Sequence, residues 1–357
     1  MIINLTKKDE QELRRFLAVK DDNISAAEVY IDYLVHHYSD ITKEDVENSS
    51  FYDALLDTLG IEKDDEYFKC VNKVAHIDRI EKLNPDEYLN DEYAKCVITK
   101  NVDNGNWILT HLNYLPYEGF VYDELEINNE YYQEHTPFGY FVKEFPYLAV
   151  IEDESIWMSV IPHEINTMKK PIKDAFGNVL VLGLGLGYYP FHIALKDDVD
   201  KITIIENDEK VIDLFNKHIF PHFKNKNKIK VIKKDAFKYL DEGDDFDFVF
   251  ADIWHNVGDG QSLYLRLKKY EDKYKNTKFE YWIETSLLAM LRRQTLTVIE
   301  EQYFEHFAES EYQKAKTEND RIINSIYFAL KDYKINSIDD IRYLLSEESL
   351  KQLAKRI

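Results

Sequence analysis

Cysteine is almost missing from this sequence: 357 residues include two, Cys70 and Cys96. Two thiols exclude a disulfide framework and a cysteine-built metal site, and both read as ordinary buried side chains. Long apolar runs are missing as well. No stretch approaches a membrane span, and the opening MIINLTKKDEQEL is charged where a signal peptide has its apolar region, so a cytoplasmic location away from membranes is expected. Nor is there an excess of positive charge. Lysine and arginine total 45 against 67 aspartates and glutamates, a formal net charge of −22, which repels a phosphate backbone and argues against nucleic acid as a partner. Such acidity serves solubility, with an acidic site for a cationic substrate as the alternative reading. Glycine is sparse too, 11 in all, yet Gly183, Gly185 and Gly187 fall close together.

That cluster sits in NVLVLGLGLGYYPFHIAL, residues 178–195. Val179 to Leu182 form the short, uninterrupted apolar run of a strand buried on both faces. Glycines let the chain take positive φ and let another molecule approach the backbone. Pro190 suits the first turn of a helix that Phe191, Ile193, Ala194 and Leu195 continue. Strand, glycine loop and helix in this order describe the first unit of a nucleotide-binding sheet.

Around it the chain divides into four parts. Residues 1–95 read as a helical region: Ser25 and Glu28 form a capping box before Val29, Tyr30, Tyr33, Leu34 and Tyr38, and Thr42 opens a second helix carrying Phe51, Leu55, Leu56 and Leu59 up to Gly60. Residues 96–165 carry short aromatic runs at 107–109, 120–122, 140–142 and 147–150 and read as a small antiparallel β unit. Residues 166–285 form an α/β domain with strands at 179–182, 202–206, 229–233 and 247–252, and a fifth at 279–284. A helical tail, 286–357, follows, with helices at 287–307, 322–330 and 338–357. His36-His37 and His218/His222 lack accompanying carboxylates, so no metal site is expected.

Ligands of such a sheet bind at the carboxyl ends of its strands. The residues there are the glycine loop, Glu206 after the second strand, Asp235-Ala236 after the third and Asp252 after the fourth. A dinucleotide fingerprint requires a third glycine at position 188, which is tyrosine. The pattern instead resembles the class I S-adenosylmethionine-dependent methyltransferases, which implies a Rossmann-like doubly wound sheet, S-adenosylmethionine as cofactor, Glu206 on the ribose and Asp235 on the adenine amine.

Within that superfamily the stretch FADIWHNVGDGQSLYLRL, residues 250–267, resembles the loop D-S-S-D-P-V-G-P-A-E-S-L-F of the spermidine synthases, matching at Asp252, Val257, Gly258, Ser262 and Leu263, with Tyr264 for phenylalanine. A small β unit before the glycine-loop domain fits the same branch, with IWMSVIPHEI, 156–165, standing where the family carries Y-H/Q-E-M. The departures concern acids. Leu186 replaces the aspartate that, in the family, neutralises the aminopropyl ammonium of decarboxylated S-adenosylmethionine. His255 replaces the second loop aspartate, and Trp157 and Ser159 stand for the tyrosine and glutamate of Y-H/Q-E-M. A dication needs buried carboxylates to offset its desolvation. The expectation is therefore a spermidine-synthase-like fold that methylates a small-molecule acceptor, with Asp252 or His255 as base and Trp157, Tyr188, Tyr189 and Trp254 as an aromatic wall. Aminopropyl transfer and a non-catalytic interaction role are the alternatives, and self-association is left open.

Overall fold

The computed structural model describes residues 1–32, 43–48, 50–58, 62, 66 and 79–357. Thr6 and Asp9 bond across the first turn of α1 (Lys7–Asp32), with Thr6 Oγ1 donating to Asp9 Oδ2 at 2.5 Å and the Asp9 amide donating back at 3.2 Å. This pairing starts the helix. The capping box expected at Ser25 does not operate, because α1 runs unbroken through Ser25–Glu28. Leu13, Phe16 and Leu17, at helical spacing, are buried, and Lys20 pairs with Glu300 at 2.6 Å. Short helices follow at Lys43–Asn48 (α2) and Phe51–Thr58 (α3). Tyr33, Leu34, the two adjacent histidines, Tyr38, Thr42, Leu59, Gly60 and Cys70 lie outside the described residues. Cys96, closing Glu92–Cys96 (α5) after Asp86–Leu89 (α4), is half-buried and free.

The aromatic runs do form β structure. Ile108–Tyr114 (β1), Gly119–Val121 (β2), Phe138–Tyr140 (β3), Phe145–Glu152 (β4) and Ser155–Ser159 (β5) make two small sheets. In one, β5, β4, β1 and the short strand Val102–Asp103 lie side by side and antiparallel; in the other, β3 joins β2 to Glu81–Lys82, so the unit reaches back before residue 96. The helix Pro162–Asp174 (α6), with Pro162 in its first turn, leads into the next layer. The expected boundary at 165 therefore falls inside one continuous helix.

Gly177–Leu182 (β6), Tyr188–Ala194 (α7), Val199–Glu206 (β7), Glu209–Leu214 (α8), Ile229–Lys233 (β8), Ala236–Glu242 (α9), Phe248–Ala251 (β9), Val257–Lys268 (α10) and Lys278–Tyr281 (β10) alternate along the chain. The five strands are all parallel, in the order β8-β7-β6-β9-β10. Val179 to Leu182 and Phe248 to Ala251 are buried throughout, as strands covered on both faces must be. This is a Rossmann-like doubly wound α/β sheet. Its strand order reverses between β6 and β9, which opens a crevice at their carboxyl ends.

After β10 the chain turns through Ile283 in the left-handed region, φ 50°, into Glu284–Tyr303 (α11). The expected boundary at 285 thus falls inside a helix as well. Glu318–Leu330 (α12), Ile338–Leu344 (α13) and Glu347–Arg356 (α14) complete the tail. The single helix expected over 338–357 is two, because Ser346 leaves helical geometry and its side chain accepts from the Ser349 amide at the head of α14. Lys351 and Lys355 pair with Glu284 and Glu271, each at 3.0 Å, fastening α14 to the parallel-sheet layer. The chain's first strand, Ile2–Ile3, pairs in parallel with Lys334–Ile335. Among the described residues no helix is long and apolar enough to cross a membrane.

Candidate functional site

Gly183, Gly185 and Gly187 all take positive φ, 96°, 50° and 75°. Their reasons differ. A side chain at Gly183 would overlap the Asp252 carbonyl oxygen, and one at Gly187 would come within 2.5 Å of the Phe215 ring. At Gly185 nothing among the described residues lies within 4 Å of where a Cβ would stand. Two glycines make room for protein, and the third presents bare backbone to open space, as a ligand cradle requires. The loop is held from behind: the Leu184 amide donates to Glu206 Oε2 at 3.1 Å, and the Tyr93 hydroxyl, from α5, donates to the Leu186 carbonyl at 2.5 Å.

Three carboxylates meet beside this loop. Glu206 ends β7, Asp252 follows β9, and Glu164 lies in the first turn of α6. Part of each residue remains open, as a pocket wall does, while protein crowds the carboxyl groups. Burial raises the Glu206 carboxyl. Asp252 is pushed up to about 7 by burial and then by the charge of Glu206. Glu164 rises well above the carboxylate range through burial and the charge of Asp252. No lysine or arginine among the described residues pairs with any of them. Beside Glu164, burial pushes His163 down to about 4, so its ring, edge-on to Trp282 at 6.0 Å, is neutral at pH 7.

Other expected site residues are placed differently. Asp235 caps α9, its Oδ1 accepting from the Lys238 amide at 2.9 Å, a role that uses one of its two oxygens; Ala236 is buried as the first residue of that helix. His255 is not paired with Asp252. Its side chain is 67% exposed and its Nδ1 lies 2.9 Å from Asp259, within the cap of α10. The four aromatics do not form one wall. Tyr188 packs with Tyr93 and donates to Asp91 at 3.2 Å, whereas Tyr189 stacks on Phe250 of the sheet at 4.0 Å. Trp254 packs where Gly260 leaves space, and Trp157 lies under the Lys210 ammonium, 6.0 Å away. Each ring has its own neighbours because Tyr188 and Tyr189 are adjacent on helix α7 and so leave it about 100° apart, Trp254 lies in the loop after β9, and Trp157 lies on β5 of the small sheet. Among the described residues no cluster could hold a metal ion.

The crevice thus places the bare backbone of Gly185 near three crowded carboxyl groups that no lysine or arginine among the described residues neutralises. Residues 161–277 match the family model of the spermine/spermidine synthase domain. Two curated relatives are the polyamine aminopropyltransferases of Clostridium beijerinckii, 29% identical over 138 residues, and of Saccharolobus islandicus, 28% identical over 131 residues. Those matches cover 37% and 35% of this chain and 47% and 42% of the relatives, so the chain spans less than half the length of either. Spermidine synthase from Thermotoga maritima is a structural neighbour at 14% identity, with a TM-score of 0.30 over 41% of this chain and 55% of that one. The family model and the curated relatives overturn the expectation of a methyltransferase with S-adenosylmethionine as methyl donor.

The matched segment begins at residue 161, so Trp157 and Ser159 lie before it, whereas the adjacent pair His163-Glu164 lies inside it. Glu164 is not singled out by the sequence reading, although the His-Glu pair stands only a few positions after Trp157.

Proposed function

We propose that the crevice transfers an aminopropyl group from decarboxylated S-adenosylmethionine to an amine acceptor, as the names of the curated relatives suggest. The observation that carries this reading is the cluster Glu164, Asp252 and Glu206, buried, mutually repelling and without a cationic partner among the described residues. Such a cluster costs stability unless a cation enters. A sulfonium donor bearing an ammonium, together with a polyamine, supplies that cation.

In the reaction the amine lone pair attacks the propyl carbon bonded to sulfur. The C–N bond forms, the C–S bond breaks, and its electron pair stays on sulfur in neutral 5′-methylthioadenosine. The amine must shed a proton, and Asp252, titrating near neutrality, is matched to receive it. Glu206 and the bare backbone at Gly185 suit the nucleoside, and Glu164 offsets the charge that the family assigns to an aspartate where Leu186 stands. Holding donor and acceptor in line supplies much of the rate. The test is incubation with decarboxylated S-adenosylmethionine and putrescine, cadaverine or spermidine, followed by chromatography of methylthioadenosine. Release that depends on the amine is expected; none with any of the three amines overturns the reading.

A further inference from the structure

A second cleft, of about 390 Å³, opens where the tail meets the hairpin that follows β2, bordered by Asn129, Tyr132, Thr285, Arg292, Ser346 and Glu347. Arg292 is the unusual member. It is 5% exposed, its Nε donates to the Leu345 carbonyl at 2.9 Å and its guanidinium lies 4.4 Å over the Tyr132 ring, yet Nη1 is buried with no hydrogen-bond partner among the described residues. A buried guanidinium without a counter-ion is costly, and its planar fork fits a two-oxygen anion. The acids that act on it are engaged elsewhere: Glu134 lies 3.4 Å from Arg293, and Glu347 is 2.7 Å from Lys351. Two helices also start at this cleft, α11 with Thr285 in its first turn and α14 with Ser346 as its cap. Helix N-termini favour negative charge, so three sources of positive potential converge on a cleft whose bordering acid, Glu347, is held 2.7 Å from Lys351.

We propose that this cleft binds a small oxyanion, a carboxylate or phosphate, gripped by Arg292 between the first turns of α11 and α14. The site is separate from the acidic crevice, which would repel such a ligand, and it does not depend on the reaction assigned there. The test is calorimetric titration of the full chain with inorganic phosphate and with malonate, ionic strength being held constant with chloride. Saturable binding is expected, weakened about tenfold or more in Arg292→Lys, which keeps the charge but loses the fork. Asn129→Trp, at the exposed mouth, should block entry while leaving the guanidinium and its bond to Leu345 in place, and decides the matter should Arg292→Lys fail to fold. Binding of phosphate alone assigns a phosphate ligand, of malonate alone a carboxylate, and of both the shared oxyanion chemistry. No saturable binding of either anion, or unchanged affinity in the folded variants, overturns the proposal.

Discussion

Asp252, titrating near pH 7, pulls stability and activity in opposite directions. Between the ordinary aspartate value and about 7 the folded chain holds a proton that the unfolded chain has released, so stability falls as pH rises through that window. Proton acceptance needs the ionised form, so turnover should rise over the same range. Asp252→Asn removes the conflict: it should stabilise the ligand-free chain at pH 8 by about 2–4 kcal/mol in urea unfolding and abolish methylthioadenosine release. A destabilised Asp252→Asn chain would show that the aspartate already has a partner. The glycines give a second contrast. Gly185→Ala has room but keeps an unfavourable positive φ, costing about 1–2 kcal/mol, and should weaken nucleoside binding in a soluble protein; Gly183→Ala meets the Asp252 carbonyl and should compromise the fold, both read by thermal melting and calorimetry. In the sequence these glycines form one motif, and the loop with its flanking strand and helix was legible there. Their separate reasons were not, because Asp252 and Phe215 reach them only through tertiary packing.

Helix α10 shows how an element can borrow a residue that looks catalytic. Asn256 accepts from the Gly258 amide at 2.7 Å, and Asp259 accepts in return from the amides of Asn256 and His255. His255 is therefore part of the turn that starts the helix. His255→Ala should change stability by less than about 0.5 kcal/mol and leave turnover within a few-fold, whereas Asn256→Ala should cost about 1 kcal/mol and lower turnover by loosening the segment after Asp252; urea unfolding beside the methylthioadenosine assay separates the two. A steep loss in His255→Ala would restore the histidine as base. The parallel strands were readable because burial on both faces leaves unbroken apolar runs. Helix ends were less so. The Ser25 box matches the pattern of a start, but a cap works only where the preceding backbone is not helical, and buried Leu13, Phe16 and Leu17 hold that backbone in α1. At Ser346 the apolar spacing continues across the break, so periodicity alone fused α13 with α14.

At the scale of the whole molecule the tail is part of the parallel-sheet layer. Leu350 and Leu353 are buried, and Lys351 and Lys355 answer Glu284 and Glu271. Removing residues 338–357 should cost several kcal/mol, since each buried leucine lost is worth about 2–5, and limited proteolysis should then cut within α11; a truncated chain as resistant as the full one would mark the tail as an appendage. The net charge of −22 carried no hint of where Glu164, Glu206 and Asp252 gather, because it counts solvated and crowded acids alike. One further feature concerns force. Ile2–Ile3 runs parallel to Lys334–Ile335, with the Ile2 amide donating to Tyr333 and the Asn4 amide to Ile335 at 3.1 and 2.8 Å. Tension drawing the leading strand backward and the trailing strand forward slides the two past each other, so both bonds bear load together instead of opening in turn. Parallel pairing thus makes this short seam a shear clasp, holding α1 and the tail in register against stretching from either side.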